Sequence, residues 1–394
     1  MENVTYAVDQ DILTIGLAGH IDSGNASEVE TCINEIREGH PAEHIVMDCG
    51  NLKYISSAGL RIILRVKKKV KDTRITEVSN EVYEVLEMTG FTELMDVKKA
   101  YRVISVEGCE VIGEGANGRV YRIDKDTIVK VYLNPDALPE IQRERELART
   151  AFVKGVPTAI PYDVVRIEGG GYGSVFELLN AQSFINLLKS GEKTLDEIAE
   201  MSIELLKIIH STVVEPGSMP DMKQVALDWA SYLKDYLPEA EGQKLYSLIE
   251  AVPDDNHLMH GDYHLKNIML QDGESLLIDM DTLCYGYPVF EFASMFNAYG
   301  GFAETDHNRI LKFMGIPYEE AVEFLNKSLK LYFDGADDEK VREVKDKARI
   351  IGYARMMRRC IRRNGFDTEA GKKEIENCRT NLIDLLSRVD TLVF

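Results

Sequence analysis

Residues 260–270 read HGDYHLKNIML, and residues 271–281 continue QDGESLLIDMD. An aspartate and an asparagine, Asp262 and Asn267, stand five positions apart directly after His-Gly, and a turn and a short apolar strand then lead to Asp279 and Asp281. Four polar groups are thus set in a hydrophobic frame. Burying such groups is unfavourable unless each finds a partner, and chemistry is the usual reason for gathering them.

Upstream, residues 110–132 read EVIGEGANGRVYRIDKDTIVKVY. Gly113, Gly115 and Gly118 form a GxGxxG, a pattern that also marks dinucleotide sites. The residues after the glycines discriminate between the two. A dinucleotide loop opens a helix, whereas GRVYRI turned back by DKD into TIVKV is strand, turn, strand. A glycine hairpin lets backbone N–H groups approach phosphates, with Val120 two residues beyond, and Lys130 in the next strand reaches phosphate oxygens. The bland alternative for the glycines is an ordinary flexible hairpin.

The segment IQRERELARTAF reads as a helix whose apolar face is Ile141, Leu147, Ala148, Ala151 and Phe152. Glu144 falls on that face and needs a cation, for which Lys130 is the candidate; Glu146, pointing away, is the alternative partner. GGGYGSVFELL, residues 169–179, reads as a turn and a buried strand whose exit, Glu177 to Leu179, offers backbone groups to an adenine edge. Beyond it the chain is mostly helical. A small strand-rich lobe followed by a large helical one is a two-lobed kinase architecture.

Phosphoryl transfer asks for positioning more than covalent chemistry. It requires one carboxylate to accept a hydroxyl proton, for which Asp262 is placed, and oxygen ligands for Mg²⁺ beside the triphosphate of ATP, for which Asn267 and Asp279 are placed. HGDxxxxN followed by IDxD resembles the aminoglycoside phosphotransferase and choline kinase-like enzymes over residues 108–394. That resemblance implies Gly113, Gly115 and Gly118 over the phosphates, Lys130 paired with Glu144, Asp262 as base, and Asn267 and Asp279 on Mg²⁺, with Asp281 a supporting group. Gly286, Pro288 and Glu291 match the pattern after the metal aspartate, with Glu291 where Asp is usual. His260 reads as structural, while His264 and Lys266 either touch the transferred phosphate or face solvent.

The first hundred residues differ in kind. VTYAV, a DQD turn and ILTIGLAG read as a hairpin; a helix opened by Asn25 and Ser27 comes next, then the strand HIVMDC, a serine-capped helix SSAGLRIILRVKKKVKD, the strand RITEVS and the helix NEVYEVLEMTG. This is a compact α/β domain. GHIDSGNASEVE followed by MDCGNLKYISSAGLRIIL resembles the STAS domain of bacterial anti-sigma-factor antagonists. The resemblance implies a candidate phosphoacceptor at Ser57; the plainer reading is that Ser56 or Ser57 caps a helix. Where the best-known antagonists carry an acidic residue before the serine, this chain has Ser56. The expected organisation is therefore a STAS α/β domain (1–100), a stiff join (101–109), and a kinase-like N-lobe (110–180) and C-lobe (181–394), the latter two α+β.

The 394 residues exceed what one core usually serves. With 46 basic against 66 acidic residues, a net charge of −20 argues against a general nucleic-acid surface and against docking on anionic lipid. Six widely spaced cysteines fit reduced thiols better than a disulfide framework. No leader pattern is visible and no run approaches the roughly 18 apolar residues of a membrane span, so a cytoplasmic protein is expected. In this acidic chain Arg355, Arg358, Arg359, Arg362 and Arg363 make one cationic stripe. It reads as a site for an acidic or phosphorylated substrate, as a dock for the acidic STAS domain, or as a solvated face paired with neighbouring carboxylates.

The functional expectation is an ATP- and Mg²⁺-dependent phosphotransferase acting on a hydroxyl of a small molecule or protein, with the STAS module regulating it or docking a protein partner. The alternative is a non-catalytic adaptor that senses nucleotide and signals by STAS partner switching. Drug phosphorylation is a third reading, for which a STAS domain has no evident use.

Overall fold

The computed structural model describes residues 3–115 and 118–394. The chain divides into two compact units, one running to Ser105 and taking in Val165–Gly169, the other comprising Val106–Val164 and Gly170–Phe394.

In the first unit a five-stranded sheet has the order β1 (Val4–Asp9), β2 (Ile12–Ile21), β3 (His44–Ile55), β4 (Asp72–Val78), β5 (Val97–Lys99). β1 and β2 are the antiparallel hairpin; β2 through β5 run parallel. Parallel neighbours need crossovers, supplied by α1 (Ala26–Gly39), α2 (Ser57–Lys69) and α3 (Asn80–Met88), with a single turn α4 (Phe91–Leu94) before β5. Leu13, Ile15 and Leu17 alternate with less buried residues along β2 and join Ile45, Met47, Ile75, Val29, Ile33, Leu60 and Ile63 in one core. β5 and the two-residue strand β6 (Val103–Ile104), which pairs with Arg166–Ile167, lie in a stretch that carries no alternation to announce them.

The second unit opens with β7 (Glu110–Glu114), β8 (Gly118–Arg122) and β9 (Thr127–Tyr132), then α5 (Leu138–Val153), the first four residues of β10 (Pro161–Ile167), whose end belongs to the first unit, and β11 (Tyr172–Glu177), the strands ordered β10-β11-β9-β8-β7. Beyond them, β12 (Gln182–Ser183), β14 (Ile268–Gln271) and β15 (Glu274–Leu277) form a small sheet, and β13 (Leu258–Met259) pairs with β16 (Cys284–Tyr285). The rest is helical: α6 (Phe184–Ser190), α7 (Leu195–Ser211), α8 (Met222–Leu233), α9 (Glu239–Glu250), α10 (Val289–Tyr299), α11 (Asn308–Met314), α12 (Tyr318–Tyr332), α13 (Asp338–Arg362) and α14 (Glu369–Arg388). α13 starts earlier than its apolar pattern implies because Asp337 caps it, accepting from the Lys340 amide at 2.8 Å. Every residue of α10 is buried. The loop 260–267 is therefore bracketed by two short strands, and Asp279 stands just past the end of a third.

Among the described residues all six cysteines are free, and no helix is long and apolar enough to cross a membrane.

Candidate active site

The loop after β13 bends at Gly261, whose φ of +78° favours glycine; a Cβ there would stand 2.4 Å from the Thr282 carbonyl oxygen. Its backbone is held by α10. The Glu291 carboxylate, wholly buried, accepts from the His260 amide at 2.6 Å and the Gly261 amide at 3.0 Å. Ser294 Oγ donates to the Gly261 carbonyl at 2.8 Å, and the Leu265 amide donates to the Tyr299 hydroxyl at 2.9 Å. His260 Nδ1 accepts from the Asp262 amide at 3.3 Å, so Nε2 carries the proton and donates to the Ile278 carbonyl at 3.2 Å. That imidazole is spent on the backbone.

These contacts fix Asp262. His264 Nε2 lies 3.4 Å from Asp262 Oδ2, its buried ring set edge-on against Phe313. Burial pushes the Asp262 carboxyl up, but the hydrogen bond from His264 and the surrounding charge, Arg355 included, outweigh it and hold the group below the ordinary carboxylate range. It is ionised at neutral pH. Lys266 is exposed and lies over Phe313 at 4.7 Å. Asn267 is buried and its Nδ2 donates to the Asp262 carbonyl at 3.1 Å, which leaves Oδ1 as the free end.

Asp279 takes a left-handed conformation, φ +64°, after the Ile278 amide donates to the Asn267 carbonyl at 3.0 Å. Its Oδ1 is 2.7 Å from Lys130 Nζ, and the same Nζ is 2.9 Å from Glu144 Oε1. One cation thus bridges two carboxylates from distant parts of the chain. Burial alone would lower the Lys130 ammonium; Glu144 and Asp279 together raise it. Glu144 is buried on the face formed by Ile141, Leu147, Ala148 and Ala151, whereas Glu146 is exposed and pairs with Arg145. Phe152, expected on that face, is instead 45% exposed. Tyr132 donates its hydroxyl to Glu144 Oε2, a partner two positions from Lys130 on the same side of β9 that strand alternation could have revealed. Burial, then the neighbouring Asp279, pushes the Asp281 carboxyl up to about 6.

The glycine hairpin separates into two cases. A Cβ on Gly118 would lie 2.2 Å from the Val131 carbonyl oxygen, so the fold itself demands glycine. Against the described residues, Gly113 and Gly115 have room for a side chain. Val120 pairs with Lys130 across β8 and β9. At the exit of β11 the Glu177 amide is already committed to the Ile160 carbonyl at 3.1 Å and the Leu178 amide to Asp126 at 2.8 Å. Of the backbone groups expected there, the Glu177 and Leu178 amides are thus occupied, and among the described residues the unengaged N–H is that of Leu179.

A divalent cation suits this donor set. Asn267 Oδ1, Asp279 and Asp281 would offer hard oxygen donors, and the two carboxylates repel each other. No three His, Cys, Asp or Glu side chains converge as a complete cage among the described residues, so a cation held here would need ligands from a bound phosphate as well.

Residues 108–321, more than half the chain, match the family model described as Phosphotransferase enzyme family, and residues 3–104 match that of the STAS domain. The chain belongs to the phosphotransferase enzyme family. Over 86 residues, 21% of the chain and 72% of the relative, it is 35% identical to BtrV of Bordetella bronchiseptica, named as an anti-sigma factor antagonist. It is 27% identical over 90 residues, 22% of the chain and 77% of the relative, to an anti-sigma F factor antagonist of Paenibacillus polymyxa. Among solved structures it resembles the aminoglycoside phosphotransferase APH(2'')-Ib with ADP bound, at TM-score 0.50 and 17% identity, covering 78% of this chain and 99% of that one. Another is APH(4)-Ia in a complex with ADP and hygromycin B, at TM-score 0.50 and 12% identity, covering 72% and 94%. At these identities the likeness is one of fold.

In the STAS unit Ser56 is the cap of α2, its Oγ accepting from the Gly59 amide at 3.5 Å, while Ser57 is the exposed first helical residue. The arginine stripe does not form the acid-paired face that was one expectation for it. Among the described residues none of Arg355, Arg358, Arg359, Arg362 and Arg363 has a carboxylate oxygen within 4.0 Å.

Proposed function

We propose that this chain transfers the γ-phosphoryl group of ATP to a hydroxyl, with its STAS unit acting as a regulatory or docking module. The observation that carries this reading is the bridge of Lys130 to both Glu144 and Asp279, beside a loop that holds Asp262 ionised. A dead kinase has no need to maintain all of these.

The acceptor oxygen attacks the γ-phosphorus as its proton passes to Asp262 Oδ, and the bond from γ-phosphorus to the β–γ bridging oxygen breaks to release ADP. Lys130, oriented by Glu144, meets the α- and β-phosphate oxygens. Gly113 and Gly115, whose bareness the fold does not require, let the hairpin backbone approach the phosphates. The Leu179 amide is available to the adenine edge. Mg²⁺ held by Asn267 Oδ1 and Asp279, with Asp281 behind them, would neutralise charge developing on the phosphate oxygens. Its binding is testable without turnover: Mg²⁺ should raise the melting temperature of the wild-type chain and have little effect on Asp279→Asn.

The deciding experiment is incubation with labelled ATP and Mg²⁺, following ADP release and mapping any label, beside Asp262→Ala and Ser57→Ala. The expected result is turnover that falls about 10²–10⁴-fold in Asp262→Ala. Label on Ser57 that needs Asp262 would make the STAS unit an acceptor. Nucleotide binding with ADP release unchanged by Asp262→Ala would overturn the reading.

A further inference from the structure

Helix α13, tied to the 260–267 loop through Arg355, carries a row of cations with no carboxylate partner in contact among the described residues. Arg355 Nη1 donates to the Gly261 carbonyl at 3.1 Å and to Ser294 Oγ at 3.3 Å, anchoring α13 beside Asp262. Arg358, Arg359, Arg362 and Arg363 continue along one face, so the stripe extends about 12 Å from that anchor at 1.5 Å per residue. In a chain of net charge −20, clustered arginines would ordinarily pair with carboxylates; among the described residues these have none within 4.0 Å. Their planes lie on rings instead: Arg355 5.9 Å from Trp229, Arg358 5.7 Å from Tyr232 and Arg359 5.0 Å from Phe302. Ring faces orient a guanidinium but carry no net charge to cancel it. Tyr232 stacks on Tyr236 at 5.3 Å, and Tyr236 on the exposed Phe366 at 6.1 Å, which extends an aromatic ladder beside the stripe.

The carboxylates in the neighbourhood do not discharge the cluster. Glu374 is held by Arg309 at 2.7 Å, and Asp228 is exposed. Burial and the Arg362 charge push Arg358 below its ordinary range, and burial with Arg363 and Arg355 does the same to Arg359. Asp228 opposes the shift at Arg358, and Glu374 and Asp262 oppose it at Arg359, but burial and like charge outweigh them.

We propose that this stripe is the acceptor subsite, and that the hydroxyl compound it takes is a small molecule bearing a fixed negative charge, a phosphate or a carboxylate, with its ring or chain packed on the aromatic ladder. The word acceptor rests on the phosphotransferase reading above; the anion site rests on the arginines alone. Arg359, Arg362 and Arg363 are exposed and present planar forks that match either anion bidentately. The same field opposes a polycation, so aminoglycosides are excluded as the preferred acceptor.

Trp229, the only tryptophan in the chain, lies at this site and reports on it. The full-length protein, saturated with ADP and Mg²⁺ to block the nucleotide site, is titrated with glucose 6-phosphate, gluconate, glucose and kanamycin while its fluorescence is monitored. A saturable change is expected with glucose 6-phosphate or gluconate, the stronger of the two identifying the anion, and none with glucose or kanamycin. The exposed double substitution Arg359→Ala/Arg362→Ala should weaken it by about tenfold or more, and Arg359→Lys/Arg362→Lys should recover part of the loss. Absence of a saturable anion response, or an equal response in the double-alanine chain, overturns the proposal. ADP release from ATP with the same compounds is read separately. Anion binding without transfer to any acceptor sinks the phosphotransferase reading alone, and transfer to glucose or kanamycin without anion binding sinks the anion site alone.

Discussion

Lys130 and Glu144 form a mostly buried pair whose two members are not equivalent. Without Lys130, Glu144 keeps only the Tyr132 hydroxyl in a buried place; without Glu144, Lys130 still has Asp279. Lys130→Met should therefore destabilise the second unit by about 2–4 kcal/mol, more than Glu144→Gln, and Lys130→Met/Glu144→Leu should recover part of that loss. Urea denaturation of the single and double variants measures the coupling. Gly261 makes a second case. Gly261→Ala must accept both a positive φ and a clash with the Thr282 carbonyl, whereas Gly155, at φ +85°, has open space. Gly155→Ala should cost about 1–2 kcal/mol and Gly261→Ala clearly more, in the same denaturation assay. At this scale much was legible. Residue type and spacing single out Asp262, Asn267, Asp279 and Lys130 as candidates, because each spacing is read along a few residues of one chain, and the fold brings Lys130 to Asp279 and Asn267 to the Asp262 carbonyl. Ser294 and Tyr299 are not legible in this way, since nothing local distinguishes a buried serine that holds the 260–267 loop from one that merely fills space.

Among the elements, α7 carries the clearest sequence-encoded start. Thr194 and Glu197 close a capping box in which each side chain satisfies the other's backbone amide, with Lys193 Nζ 2.9 Å from Glu197. Thr194→Ala should cost about 1 kcal/mol. The hydrogen bond from the Thr194 amide, then those from Lys193 and Thr194 side chains, lowers the Glu197 carboxyl to about 2 from an ordinary 4.5. A depressed folded-state value means a contribution fully present above pH 4.5 and lost as pH falls from 4.5 toward 2. Glu197→Gln should therefore flatten the acid limb of the stability curve in that window and leave its slope near neutrality unchanged, as measured by thermal melts across pH. Amphipathic elements such as α2, α5, α7 and α12 announced themselves, since one face is wet and one dry. α10 did not. With every residue buried it has no polar face to set a period, although it bears the residues that hold the loop.

In the whole molecule, the first core draws all its residues from positions 4–97. A fragment of residues 1–105 should accordingly unfold cooperatively on its own, with a helix-and-strand spectrum by circular dichroism; a molten, non-cooperative fragment would count against that autonomy. Read alone, the chain dictated the order of two units, the family of each, and which residues are candidates for handling phosphate, because all of these are carried by short-range patterns that covalent geometry and hydrophobic period impose. Pairing over long separations came from the folded structure alone. Lys130 meets Asp279 across 149 positions, Arg355 reaches Gly261 across 94, and the arginines of α13 lie against rings where carboxylates were one expectation. The physical reason is that a charge's partner is set by which surfaces the folded core brings together, and no spacing along the chain encodes that.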